Sequence, residues 1–394
     1  MSVVLLVAAA VLAACGGPSG SGTSQGAKTG TAHLTTVYRW GVVGNRGKIA
    51  KLELGTPTAV SGISGSIVEI ATSNSDGYAL TADGEVWAWG VNSFGELGDG
   101  RETPYETKAA EVDFPAGTKI VSLANPMPFD GALAIDSTGH AWGWGLDVGS
   151  DLCATGLVLD RPQQLPLKDV TLASGARTHS LFYSGGTLYA CGSGEAGELG
   201  NGSTSSVGSP TQVVGLPAGT KVTALTSSWE GSGALLANGD YYNWGYNAAG
   251  QLGDGSTKNS AVPVKVVLPG PVTQVFQGGS GPTNGQTIAR LTDGSVWAWG
   301  DNDRGQLGIG TRTSSDVPVR VRVPSGVSFV KLSSGGYSSY AIDSTGRLWA
   351  WGDNSNGQIG TGSGRAVETL PVDVGIHLVQ VSSTASNVAG LERS

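Results

Sequence analysis

The sequence predicts an all-β, seven-bladed β-propeller of four-stranded antiparallel blades, closed by a blade shared between the N- and C-terminal segments. Three observations carry this prediction. A Trp-Gly dipeptide returns about every fifty residues, glycine fills 64 of 394 positions, and the chain ends supply complementary parts of one repeat. Periods of this length are the mark of solenoids and propellers. Abundant glycine is what many tight corners require.

The dipeptide stands at Trp40-Gly41, Trp89-Gly90, Trp144-Gly145, Trp244-Gly245, Trp299-Gly300 and Trp351-Gly352, with Cys191-Gly192 where another is due. The spacings are 49, 55, 47, 53, 55 and 52 residues, which makes seven units. Within a unit the first two strands are short apolar runs, as in Ile67-Val68-Glu69-Ile70 and Tyr78-Ala79-Leu80. Turns such as Ala82-Asp83-Gly84 and Thr292-Asp293-Gly294 then reverse the chain. The third strand is aromatic. Trp87 and Trp89 share one of its faces, and Val86, Ala88 and Gly90 share the other. It has no polar face, so burial on both sides is expected. A loop follows, Gly95-Glu96-Leu97-Gly98 in one unit and Gly305-Gln306-Leu307-Gly308 in another. Last comes a strand carrying Pro57, Pro104, Pro162, Pro210, Pro263, Pro318 or Pro371. Proline removes a ladder donor, which places this strand at the outer edge. The C-terminus, from Leu378 to Leu391, matches only the first two strands of a unit, and Thr36 to Gly41 supplies the missing aromatic strand.

The unit of Asp-Gly turn, aromatic-small-Trp-Gly and Asn-x-x-Gly-Gln-Leu-Gly is similar to the repeat of the regulator of chromosome condensation family. Asn302 to Gly308 and Asn354 to Gly360 are close copies, and the resemblance covers roughly residues 34–394. Only Gly175 to His179 carries the histidine expected before the second strand, spaced Gly-x-x-x-His against the family's Gly-x-x-His. The resemblance implies the propeller fold and several functions. A founding member exchanges guanine nucleotide on a small GTPase and binds chromatin, a plant relative senses ultraviolet light, and a secreted bacterial relative inhibits β-lactamase through loops on one face. Fold alone does not choose among them.

The first thirty-three residues read as an address. Val3 to Ala14 is an apolar run ending in Leu12-Ala13-Ala14-Cys15, too short to span a bilayer and similar to a lipoprotein cleavage site. This divides the chain into a signal peptide at 1–14, a Gly/Ser/Thr-rich tether at 15–33 beginning with a lipidated Cys15, and one propeller domain at 34–394. The expected location is extracytoplasmic, either lipid-anchored to the bacterial cell membrane or secreted.

Little in the sequence suggests chemistry. A formal charge of -8 opposes nucleic-acid binding, and four scattered histidines offer no metal-ligand spacing. No cofactor, metal site or catalytic residue is expected. Asp83, Asp293 and Asp343 recur with the turns and read as turn formers. Cys153 falls at a loop-glycine position and Cys191 at a Trp position of the neighbouring unit. An oxidising compartment permits a bridge between them, but two small buried thiols are the preferred reading.

Ten of the eleven tryptophans belong to aromatic strands, and Trp229 does not. It lies in the loop between a unit's first and second strands. The equivalent loops carry Asp76; Met127, Phe129 and Asp130; Arg177 and His179; and Tyr337, with Glu230 beside Trp229. Trp229 either folds back over its own blade or anchors a partner. Because Trp, Tyr and Arg dominate binding hot spots, these nine residues are the partner-binding candidates. The expected function is non-catalytic recognition of a protein or cell-surface glycan by a monomer through one loop face. The rivals are an extracellular hydrolase or lyase with a central-channel site, and an exchange-factor-like protein.

Overall fold

A computed structural model describes residues 35–43, 52–147, 151–154, 158–281 and 284–393. The signal peptide, Cys15 and the tether lie outside the described residues. Among the described residues are 28 strands and no helix, arranged as seven four-stranded antiparallel sheets. Blades one to six span 67–111, 120–164, 170–212, 222–265, 272–320 and 329–377, each an uninterrupted meander. Blade seven takes its two inner strands, Gln380–Thr384 and Asn387–Arg393, from the C-terminus. Its outer strands, Thr35–Val43 and Leu52–Ala59, come from the N-terminus. The seam is a regular ladder in which Val37 faces Leu391 and Trp40 faces Val388. First strands of neighbouring blades touch one another at six of the seven junctions, and at the seventh the first strand of blade three meets the second of blade two, so the first strands line the axis. Every proline named above lies in the fourth strand, at the opposite edge.

The Trp-Gly pair sits where the third strand slips register against the fourth. In blade one Ala88 faces Ala110, but Gly90 faces Glu106. The bulge turns the backbone to φ +125° at Gly90 and +98° at Gly300, a region that glycine enters without a Cβ clash. The tryptophan of the pair is 0–1% exposed in all six cases. The aromatic two residues earlier is less covered: Trp87, Trp297 and Trp349 are half-buried. The expectation of burial on both sides therefore fails at that end of the strand. These indoles lie beside the Asp-Gly turns, where Trp349 Nε1 donates to Asp343 Oδ2 (2.9 Å) and Trp297 Nε1 to Ser295 Oγ (3.0 Å).

One interblade latch repeats. Trp144, Trp244, Trp299, Trp351 and Trp40 each donate their indole N–H to a carbonyl of the preceding blade, at Glu96, Glu198, Gln251, Gln306 and Gln358, over 2.9–3.0 Å. Each carbonyl accepts a second bond as well, from Tyr78, Ser232, Asn243, Ser339 and Tyr340 respectively. Two residues on, the loop's last glycine lies flat against the same indole. A Cβ on Gly253 would stand 2.6 Å from Trp299 Nε1, and one on Gly308 would stand 2.7 Å from Trp351 Nε1.

Cys153 and Cys191 are not separate thiols; they form a disulfide with Cα atoms 5.6 Å apart. The latch gives the physical reason. Cys153 takes the final-glycine position, with φ +54° close to the +65° of Gly98, and Cys191 takes the tryptophan position. At the other described latches these two positions meet as glycine and indole.

Candidate functional site

At one end of the ring axis the loops joining first to second strands close into a cup. Its walls come from six blades: Met127 and Phe129, Arg177, Ser228 and Trp229, Gln277 and Gly278, Ser334, and Thr384. The cup holds about 30 Å³. Backbone bonds stitch loop to loop around it, with Phe129 N donating to Ala176 O (3.1 Å), Gly279 N to Gly335 O (3.2 Å) and Gly336 N to Ala385 O (2.8 Å). Thr178 Oγ1 adds a bond to Trp229 O (2.9 Å). Beneath the rim, hydroxyls at the ends of the inner strands pair across blades. Ser174 meets Ser227 at 2.7 Å, Ser333 meets Ser383 at 3.1 Å, and Thr72 meets Ser382 at 3.1 Å. These pairs tie the inner strands of neighbouring blades together.

Three of the nine candidates form one surface cluster. The Arg177 guanidinium lies 3.9 Å from the Trp229 ring centre and 5.2 Å from that of Phe129. The two rings meet edge to face at 5.3 Å and 73°. Such contacts contribute roughly 0.5–2 kcal/mol each. Arg177 is exposed, and the two aromatics are half-buried. Trp229 does not fold back over its own blade; it leans toward residues of blades two and three.

The other six candidates stand elsewhere. Asp76, at 1% exposure, is buried, and Ser73 Oγ donates to its Oδ2 (2.7 Å). Burial, then the nearby Glu96 charge, raises its pKa well above the usual carboxylate range. His179 is fully buried, hydrogen-bonded through Nε2 to Ser232 Oγ at 2.7 Å, and burial lowers its pKa to about 3. Both open strands rather than loops, so the ladder draws them inside. Met127 lines the cup from beneath at 1% exposure. Asp130, Glu230 and Tyr337 are half-buried and lie outside the cup's lining. Asn284 Nδ2 donates to the Tyr337 hydroxyl.

The channel wall below uses its polar side chains as struts, a feature the sequence reading passed over. Gln380 bonds both the N–H and the carbonyl of Ile70 (3.1 and 2.9 Å), and Gln274 bonds Leu332 N and Val330 O (3.2 and 2.9 Å). Glu69 accepts from Leu123 N at 3.2 Å. Burial pushes its carboxyl up to about 7. A signal was available for Glu69, the one charge in Ile67–Thr72, but not for Gln274 or Gln380, whose strands carry several other polar residues. Among the described residues no group of three or more His, Cys, Asp or Glu is placed to hold a metal ion.

Fold and site together define a closed seven-bladed propeller with a loop-built cup over its axis. The profile of the RCC1-like domain matches residues 36–390, and the chain belongs to that family. It is 29% identical over 376 residues to the ultraviolet-B receptor UVR8 of Arabidopsis thaliana, covering 89% of this chain and 82% of that one. It is 28% identical over 301 residues to the E3 ubiquitin-protein ligase HERC2 of Mus musculus, where the match covers 73% of this chain but 6% of HERC2. Among solved structures, human WBSCR16 superposes with a TM-score of 0.78 at 20% identity, covering 92% of this chain and 99% of that one. Prp20p of Saccharomyces cerevisiae, studied for binding to Gsp1p and histones, gives 0.74 at 20% identity and covers 92% of each chain.

Proposed function

We propose that the chain is a non-catalytic, extracytoplasmic binding propeller, tethered through Cys15, that recognises a protein through the cup and its rim. The Phe129–Arg177–Trp229 cluster, with Arg177 exposed and both rings half-buried, is the observation that carries this reading, because clustered aromatic and arginine side chains make a hot spot. The Cys153–Cys191 bridge supports residence in an oxidising compartment. The channel supports the non-catalytic reading, since Glu69, Gln274 and Gln380 are engaged in joining blades. An exchange-factor-like role is the second reading, favoured by the likeness to Prp20p.

Two experiments test the proposal. Fractionation of wild type against Cys15→Ser is expected to move the protein from membrane to soluble fractions, and a cytosolic wild type would favour the exchange-factor reading. Affinity capture from cell-surface extracts is expected to lose its partner with Trp229→Ala/Phe129→Ala. Equal capture by both baits would remove the cup as the binding site.

A further inference from the structure

Resting on that protein-binding reading, we infer that the cup takes a carboxylate, an Asp or Glu side chain carried on a protruding turn of the partner, with Arg177 as its receptor. Among the described residues that line the cup, Arg177 is the one that carries a charge. Its guanidinium carbon lies 3.9 Å from the Trp229 ring centre, and the side chain is exposed. Among the described residues no carboxylate is ion-paired with it, whereas Arg101, Arg161, Arg347 and Arg365 each have one. A guanidinium held by contact with two aromatic rings is pre-organised for bidentate capture of a carboxylate, which an ammonium does not reproduce.

A peptide turn offers the carboxylate that Arg177 lacks. The cluster suits an acidic sugar less well. A pyranose stacks on an open ring face, but Arg177 covers the Trp229 face at 3.9 Å and Phe129 closes on Trp229 at 73°.

The test uses the full chain with ¹⁵N-labelled arginine and tryptophan, titrated with the blocked tripeptide acetyl-Gly-Asp-Gly-amide. Saturable shifts of the Arg177 Nε–H and Trp229 indole signals are expected, at least tenfold weaker with acetyl-Gly-Asn-Gly-amide. Arg177→Gln should abolish the Trp229 shift and Arg177→Lys should weaken it about fivefold, with the other indole signals unmoved as the check on folding. Equal response to the Asn peptide, no saturable response to the Asp peptide, or tighter binding of methyl glucuronide would overturn the inference. Partner capture separates the two levels. If Arg177→Gln keeps the partner that Trp229→Ala/Phe129→Ala loses, the carboxylate inference alone fails. If both variants keep it, the binding reading itself fails.

Discussion

Cys153 and Cys191 show how one pair of positions accepts two chemistries. Elsewhere in the ring a glycine admits an indole, and here a covalent bond spans the gap. Closing a loop across a sequence separation of 38 stabilises by about 4 kcal/mol on the chain-entropy estimate. Reductant is therefore expected to lower the melting temperature of the wild type. Cys153→Gly/Cys191→Trp should stay folded and melt at the same temperature with or without reductant, as followed by circular dichroism. A wild type indifferent to reductant would contradict the staple. The sequence placed each cysteine correctly within its repeat, yet no single repeat shows that the last loop glycine touches the next unit's tryptophan. Asp76 and His179 were misjudged for a related reason. Their neighbours in sequence are loop residues, but their ladder partners, Gly90 and Gly192, draw them into the sheet.

Inner strands do more than line a channel, because their side chains lace each blade to the next. Glu69 stands where Gln274 and Gln380 stand in other blades, and with its pKa raised to about 7 it is largely protonated in mildly acidic solution. The folded pKa lies above the ordinary 4.5, so the folded state holds a proton that the unfolded state has lost between those values. That stability is fully present below about pH 4.5 and is lost as pH rises through about 7, a change on the order of 1–3 kcal/mol. Glu69→Gln, which supplies the amide found at the sister positions, is expected to raise the melting temperature at pH 8 and to flatten its decline between pH 5 and 8. A variant with the same pH profile as wild type would remove Glu69 from this role. The strand type was legible from the apolar pattern, whereas the strut role was not, since it depends on which strand lies across the axis.

Ring closure joins residues more than three hundred positions apart, with Trp40 donating to Gln358 and Asn387 Nδ2 donating to Asp76 O. Blade number, strand order and the shared blade were all readable from period and chain ends, because a fixed repeat of about fifty residues leaves one way to close. The binding face was readable only in part. The loops were identified, but ring curvature decides that Phe129, Arg177 and Trp229 converge while Tyr337 and Glu230 stay outside the lining. Deleting residues 376–394 removes both inner strands of blade seven and is expected to unfold the propeller cooperatively; an unchanged melting temperature would contradict the shared blade. The most direct test of the functional account is site-specific photo-crosslinking in living cells. A benzophenone amino acid placed at Ser228, in the cup, or at Val267, 81% exposed and outside the cup's lining, reports which surface meets a partner. The account predicts one discrete protein adduct from Ser228 and none from Val267, and adducts from Val267 alone, or equally from both, would contradict it.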